Sequence, residues 1–299
     1  MRYGRGDFTW MVREILRTKA PVTFRNRERL GEYDFVLQGK RRKKGVSAML
    51  RVKNEERKIL YCLGSLTHVF DEVVLIDNGS TDSTLELVRR FKKDRDPQER
   101  ISLFSYPFAV ARCGKEHRGT PEDSVHSLVY YYNWCLSKCR HSYVFKIDAD
   151  MIVLPEGTRR LRALFDRLSP LVPTVVEPPV QTIYRGPRGN WLLSTEEVSF
   201  EPRLFPNTSA IRYSKGKHWE VLRSVITTRK SRWTEILFYE LKDTSEDEFL
   251  HWTDTNFPTD RKRLEWKNFN IVRSGDVPGG FIEIAPSFLT EFPSIQPAR

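Results

Sequence analysis

The stretch Val144-Phe145-Lys146-Ile147-Asp148-Ala149-Asp150 decides the fold. Tyr143 to Ile147 reads as a buried β-strand that delivers Asp148 at its carboxyl end. Two carboxylates spaced i, i+2 point to the same side for as long as the chain stays extended. Hard oxygen ligands at that spacing suit Mg²⁺ or Mn²⁺. Such a cation would bridge the phosphates of a nucleotide diphosphate and stabilise the charge that grows as it leaves. Asp-x-Asp is common on protein surfaces, so its weight comes from its place after a hydrophobic strand.

The preceding residues repeat one unit. Val46 to Val52 is a mostly apolar strand, and Asn54 is positioned to cap a helix through about His68, with Glu55 and Glu56 in its first turn. Glu72 to Ile76 is nearly continuous in apolar residues, as buried parallel strands are. Ser80, supported by Asp82, should cap a helix through about Lys93. Ile101 to Tyr106 is a third strand, and a helix is expected over roughly Pro121 to Cys139. This order predicts an α/β protein with a doubly wound, mostly parallel sheet. Ligands then bind beyond the carboxyl ends of the strands, where Asp77 and Asp148 stand. Asp77-Asn78-Gly79-Ser80 forms a polar strand exit before a helix, and Asp77 or Asn78 is suited to hydrogen-bond a nucleobase or ribose. Beyond Pro155, which opens a further helix, the chain becomes strand- and proline-rich, so a mixed C-terminal region over the site is expected. Three parts result: an arm over residues 1–45, an α/β half over 46–155 that carries the strand-end carboxylates, and a C-terminal half with its extension over 156–299.

Composition narrows the partners. The 299 residues carry a net charge of +11, with 39% hydrophobic and 12% aromatic residues. That is globular composition with a bias toward anionic partners such as nucleotide phosphates, acidic glycans, a membrane surface or nucleic acid. Cys62, Cys113, Cys135 and Cys139 are too few and scattered for a disulfide framework and read as buried thiols in a reducing compartment. No secretory leader or membrane span is apparent, so a cytoplasmic protein is expected, or one at the inner face of a membrane. The Asn207-Thr208-Ser209 sequon and the Arg5-Gly6-Asp7 tripeptide then carry no meaning. Phe8 to Thr18 reads as a short amphipathic helix. The basic run Lys40-Arg41-Arg42-Lys43-Lys44 reads as a solvated loop, or as a peripheral contact with anionic lipid or polymer.

Three motifs together carry a family resemblance. Arg51 to Glu56 (RVKNEE), Ile76 to Thr84 (IDNGSTDST) and Lys146 to Met151 (KIDADM) come in the order and spacing of family-2 glycosyltransferases. The chain resembles that family over residues 46–155. The resemblance implies a GT-A fold, inversion at the transferred sugar, and a nucleotide-diphosphate sugar donor, with uridine the default base. It implies donor contacts from Arg51, Lys53, Glu55, Asp77, Asn78 and Asp148, and Mn²⁺ or Mg²⁺ on Asp148 and Asp150, with His251 available to complete the shell. Glu201 to Leu222 is similar to the acceptor-site segment of bacterial members, which makes Glu220 the first choice for the base that deprotonates a glycan or other hydroxyl acceptor. Glu197 is the second choice. Two departures stand out. Many relatives carry two consecutive acids where this chain has Asp77-Asn78, and many carry an arginine where it has Tyr132, so Arg112, Lys115 and Arg118 are the candidates to supply that phosphate or sugar contact. A non-catalytic nucleotide-sugar or glycan-binding protein, or a transferase acting on nucleic acid, are the competing readings. A binding module would not need Asp148 and Asp150 together, and no nucleic-acid-binding motif is present.

Overall fold

The computed structural model describes residues 20–39, 42–169, 172–244, 249 and 259–285. The expected Phe8–Thr18 helix, Lys40 and Arg41 at the start of the basic run, and His251 lie outside these residues. In chain order the elements are β1 (Val22–Phe24), β2 (Phe35–Leu37), β3 (Lys43–Val52), α1 (Ile59–Leu66), β4 (Glu72–Asp77), α2 (Thr84–Arg95), β5 (Ile101–Ser105), α3 (Lys115–Gly119), α4 (Leu128–Lys138), β6 (His141–Asp148), β7 (Met151–Val153) and α5 (Pro155–Arg167). There follow β8 (Thr174–Glu177), β9 (Pro179–Arg185), β10 (Trp191–Phe200), β11 (Leu204–Pro206), β12 (Ile211–Lys215), β13 (Glu220–Ser224), β14 (Arg229–Arg232), β15 (Phe238–Asp243), α6 (Asp260–Arg273) and β16 (Phe281–Ile284).

A seven-stranded sheet runs in the order β14-β8-β11-β6-β3-β4-β5. Its strands β6, β3, β4 and β5 are mutually parallel, while β11 is antiparallel to both β6 and β8. The chain builds outward from β3 through β4 to β5, then returns to the other side of β3 as β6. The strand order therefore reverses between β3 and β6, and the crevice at their carboxyl ends is the expected ligand position. A mixed five-stranded sheet, β16-β10-β9-β15-β7, begins immediately after β6. The predicted fold, a doubly wound and mostly parallel sheet with a mixed C-terminal region, is the one observed. Strands from beyond residue 155 complete the main sheet, so it is shared between the two halves.

Alternation along the strands divides the core into two layers. Val46, Ala48 and Leu50 of β3, Val73 and Leu75 of β4, and Tyr143, Phe145 and Ile147 of β6 pack with α1, α2 and α5 on one face. Met49, Val74, Ile76 and Val144 pack with α4 and with Ile211 and Tyr213 of β12 on the other. Helices on both faces are what make the sheet doubly wound.

The helix starts differ from the sequence expectation. Asn54 is left-handed (φ 55°) rather than a cap, and α1 begins at Ile59 after Lys58, which makes no side-chain cap. Ser80 likewise does not cap α2, which starts at Thr84. The reason is a competing use of the same side chains. Asn54 Oδ1 accepts from Thr81 N (2.8 Å), Ser80 Oγ accepts from Asn54 N (3.0 Å), and Glu56 Oε2 accepts from Ser83 N (3.0 Å). The turns after β3 and β4 thus brace each other across the strand ends. Gly79 (φ 72°) provides the left-handed residue this turn needs. Helix α4 starts at Leu128, later than Pro121, because Ser127 is its cap and accepts from Val129 N and Tyr130 N.

The basic run is also not a free loop where it is described. Lys43 and Lys44 open β3, and Arg42 donates to the carbonyls of Cys139 and Asn207. Asn207 is buried, with its amide donating to Cys139 O and His141 O, so the sequon is inaccessible in the fold. Cys62, Cys135 and Cys139 are buried free thiols. Among the described residues no helix is long and apolar enough to cross a membrane.

Candidate active site

The alternation that builds the core also builds the site. Continuing the α4-facing series from Met49 leads to Arg51, and from Val144 to Lys146 and Asp148. On β11 the same face carries Phe205, and two residues earlier Arg203. Pairing places Arg51 opposite Asp148 across β3 and β6. Four charged side chains thus converge on one face at the point where strand order reverses. Arg51 and Arg203 clamp Asp148, the second through Nη1 to Oδ2 at 2.9 Å. Lys146 pairs with Glu201 at 2.8 Å, and Arg203 reaches the same carboxylate at 3.6 Å. The Arg51 guanidinium lies over the Tyr132 ring of α4, 3.9 Å from its centre. Tyr132, which stands where many relatives carry an arginine, therefore holds an arginine supplied by β3.

The charges set one another's protonation. Removal from bulk water alone would raise the Asp148 pKa, but Lys146, Arg51 and Arg203 outweigh it and hold the carboxylate well below its usual range. Lys146 holds Glu201 down at about 2. Even so, 34% of the Asp148 side chain remains exposed toward a cavity of about 500 Å³.

Glu220 lies on that cavity with Asp148, Lys146 and Arg203. It opens β13, in an antiparallel hairpin with β12. Burial raises its pKa, against the opposing pull of Lys146 and Arg51 and a hydrogen bond from Tyr132. Trp219 and Phe200 give the cavity an apolar wall. The hairpin is tied to the loop after β5: Gly114 N donates to His218 O (2.7 Å), and Lys215 Nζ donates to Arg118 O (3.0 Å) and Thr120 O (2.6 Å). Arg118 Nη1 lies 3.4 Å from His218 Nδ1, so Arg118 faces the hairpin.

The remaining expected residues fall in several places. Asp150 does not continue the strand. The chain turns after Asp148, and Asp150 faces the second sheet, accepting through its carbonyl from Leu241 N (2.8 Å) and through Oδ2 from Lys242 Nζ (3.2 Å). The expectation that both carboxylates point the same way fails because the extended backbone ends one residue too early. Asp77 accepts from Gly79 N and Ser80 N, and the Asn78 amide donates to Tyr106 O and Phe108 O, so both residues shape the strand exit. Glu55 pairs with Lys58 at 3.1 Å and Lys53 is exposed. Glu197 is buried beneath α6, bonded to Tyr184 (2.6 Å) and Asn268, and does not line the cavity.

A divalent ion implied by the resemblance is tested by this donor set. Both oxygens of Asp148 are engaged by guanidiniums, and Asp150 by an ammonium. Among the described residues no group of three or more His, Cys, Asp or Glu side chains is placed to hold a metal ion. As arranged, the aspartate pair does not form such a site.

The fold is a doubly wound, mostly parallel α/β sheet with a charged cavity at its strand-order reversal. The sequence model of the family described as Glycosyl transferase family 2 matches residues 47–108, which include two of the three motifs, so the resemblance to that family is shown over this stretch. No curated protein matches. Among solved structures, S. aureus TarS 1-349 is similar at 16% identity and a TM-score of 0.42, over 68% of this chain and 62% of that one. The mannosyltransferase PcManGT from Pyrobaculum calidifontis, in complex with GDP-Man and Mn²⁺, is similar at 21% identity and a TM-score of 0.32, over 56% and 41%. Glucosyl-3-phosphoglycerate synthase from Mycobacterium tuberculosis, in complex with Mn²⁺, UDP and phosphoglyceric acid, is similar at 21% identity and a TM-score of 0.30, over 49% and 45%. The chain spans less than two thirds of the length of each.

Arg203, Lys146, Glu201 and Lys242 were not singled out from the sequence as site residues. A lysine inside an otherwise apolar strand was the available signal for Lys146. Arg203, Glu201 and Lys242 needed the tertiary structure.

Proposed function

We propose that the protein transfers a sugar from a nucleoside-diphosphate sugar to an acceptor hydroxyl in one inverting displacement. The observation that carries this reading is the cavity at the strand-order reversal, lined both by the clamped Asp148 and by Glu220 with its raised pKa. In this reading the donor lies along the carboxyl ends of β3, β4 and β6, within reach of Arg51, Lys53, Glu55, Asp77, Asn78 and Asp148. A uridine nucleotide is favoured, on family habit. The acceptor occupies the hairpin side, where Trp219 and Phe200 offer faces for a sugar ring.

Glu220 accepts the proton of the acceptor hydroxyl as its oxygen forms a bond to the anomeric carbon and the bond to the diphosphate breaks. The nucleoside diphosphate leaves with both electrons of that bond. Arg51, Lys146 and Arg203 hold fixed positive charge near the departing diphosphate, which is where preorganised electrostatics lowers a barrier most. The cations on the cavity also favour a glycan acceptor bearing negative charge. A peripheral membrane contact near the start of β3 is a secondary element of the proposal, and a nucleic-acid acceptor is less favoured.

Thermal melting with nucleoside diphosphates tests the donor half. A ligand at a hundredfold excess over its dissociation constant stabilises by roughly 2.7 kcal/mol, so a clear rise in Tm is expected with UDP. If neither UDP, GDP nor dTDP moves the melt, the transferase reading is wrong.

A further inference from the structure

The second aspartate of the pair leads to a lysine that the transfer reading does not use. Lys242 and Glu240 lie two apart on β15 and so share a face of the second sheet. The Lys242 ammonium stands 3.2 Å from Asp150 Oδ2, 3.0 Å from Glu240 Oε1 and 3.5 Å from Glu265 Oε1. These carboxylates come from three elements: the turn after β6, β15 itself, and helix α6. The Lys242 side chain is 5% exposed and Glu265 1%. An ammonium is buried this deeply only where its partners offset the lost hydration. Glu240 lines the same cavity as Asp148 and Glu220, so the cluster forms the back of the site.

Several hard carboxylate oxygens around one point are the ligands a small divalent cation takes. Here that point is filled by a side-chain nitrogen. The oxygens stand 3.0–3.5 Å from it, wider than the roughly 2.0–2.6 Å of Mg²⁺ and Ca²⁺ coordination. Asp148 is no more available, because Arg51 and Arg203 hold it. The positive charge that the aspartate pair would otherwise draw from solution is already supplied by the chain. We propose that Lys242 is a built-in counter-cation occupying the divalent-ion seat beside Asp150. On the transferase reading, it follows that a nucleoside diphosphate binds without added metal.

The experiment has two arms, and the first is independent of any donor. Mn²⁺ alone is titrated into wild type, Lys242→Met and Lys242→Arg, followed by the loss of the free Mn²⁺ electron paramagnetic resonance signal and by the melting temperature. The methionine keeps the aliphatic stem but removes the charge, which lets Asp150 and Glu240 close by about 1 Å on a metal, while Glu265 keeps its pairs with Lys262 and Arg261. Expected are no saturable uptake by wild type or the arginine variant, and a gain of at least about tenfold in Mn²⁺ affinity by the methionine variant, a difference of 1.4 kcal/mol. Its lowered Tm should recover with Mn²⁺, so a variant that folds poorly still reports. Saturable uptake by wild type overturns the proposal, and so does a methionine variant that takes up no more Mn²⁺ than wild type. The second arm measures UDP binding by calorimetry in EDTA and in Mn²⁺. Equal affinity for wild type and Mn²⁺-dependent affinity for Lys242→Met are expected, and a wild type that binds UDP only with Mn²⁺ also overturns the proposal. If the Mn²⁺ pattern holds and UDP binds to no form under any condition, the lysine assignment stands and the transferase reading falls.

Discussion

The central sheet holds a charge network at each end. At the amino ends of β3, β4 and β6, buried Glu72 accepts from Ser47 Oγ (2.6 Å) and from Arg140 N (3.0 Å), and it pairs with the Arg140 side chain and with His141. Both of its oxygens are engaged. At the carboxyl ends, Arg51, Lys146, Asp148, Glu201 and Arg203 are just as densely paired, yet Arg51 Nε, Arg203 Nε and the Tyr213 hydroxyl are buried without a hydrogen-bond partner. Buried polar atoms are rarely left so, because each costs about 1–3 kcal/mol. Arg203 and Tyr213 line the cavity. The same residue types thus make a closed brace at one end and, at the other, a preorganised surface with valences left for a ligand.

Mutations at the two ends should separate accordingly. The largest effect is expected from Glu220→Gln, which removes the proton acceptor and should cost about 10²–10⁴-fold in turnover. The UDP-induced rise in Tm should be unchanged, and its loss would mean that Glu220 holds the donor instead. Glu197→Gln is the matched control and should keep the wild-type pH dependence. As the proposed base, Glu220 should also set the acid side of the rate profile. Its pKa lies above the ordinary 4.5, so activity, which needs the carboxylate, should fall with decreasing pH before an ordinary glutamate would protonate. A profile that stays flat below that range would move the base elsewhere.

At the braced end the expected loss is of stability. Glu72→Gln keeps the shape but weakens charged hydrogen bonds, for about 1–3 kcal/mol lost in denaturant unfolding, with kcat per folded molecule unchanged. The Glu72 pKa is held down at about 2, because bonds from His141, Ser47 and Arg140 outweigh its burial. A depressed carboxylate contributes its stability above the unfolded value of 4.5 and loses it as pH falls toward 2. The variant and wild type should therefore converge in stability over that window. A smaller change is expected from Trp219→Ala on the cavity wall, about 0.5–1.5 kcal/mol in acceptor KM with donor binding intact. If Trp219→Ala alters donor binding instead, donor and acceptor sides have been assigned the wrong way round.

Legibility followed the same division. The expected strands Val46 to Val52, Glu72 to Ile76, Ile101 to Tyr106 and Tyr143 to Ile147 match the observed β3, β4, β5 and β6 closely, because the apolar runs of the inner strands β3, β4 and β6 are dictated locally, and the half-buried edge strand β5 continues the same repeat. The helix starts were misread at Asn54 and Ser80, where side chains that cap helices in isolation bond across to the neighbouring turn. At the site, Asp148 and Glu220 were readable and the structure places them on one cavity. What surrounds them was not readable. Arg203, Glu201 and Lys242 reach the site only through long-range pairings, Arg203 meeting Asp148 across 55 positions of sequence and Lys242 meeting Asp150 across 92. No window on the chain contains either pair.

The placement of β11 has a consequence for the order of assembly. β11 inserts between β6 and β8 and brings Arg203 with it, so one edge of the parallel strands has no neighbour until residues 204–206 arrive. During synthesis from the amino terminus, Lys43 to Asp148 can fold as a unit that exposes a bare, apolar strand edge. Asp148 would meanwhile carry only one of its two arginines. Closing that edge and completing the charge clamp are a single event, so a nascent chain finishes the Asp148 clamp in the same step that covers its exposed strand edge.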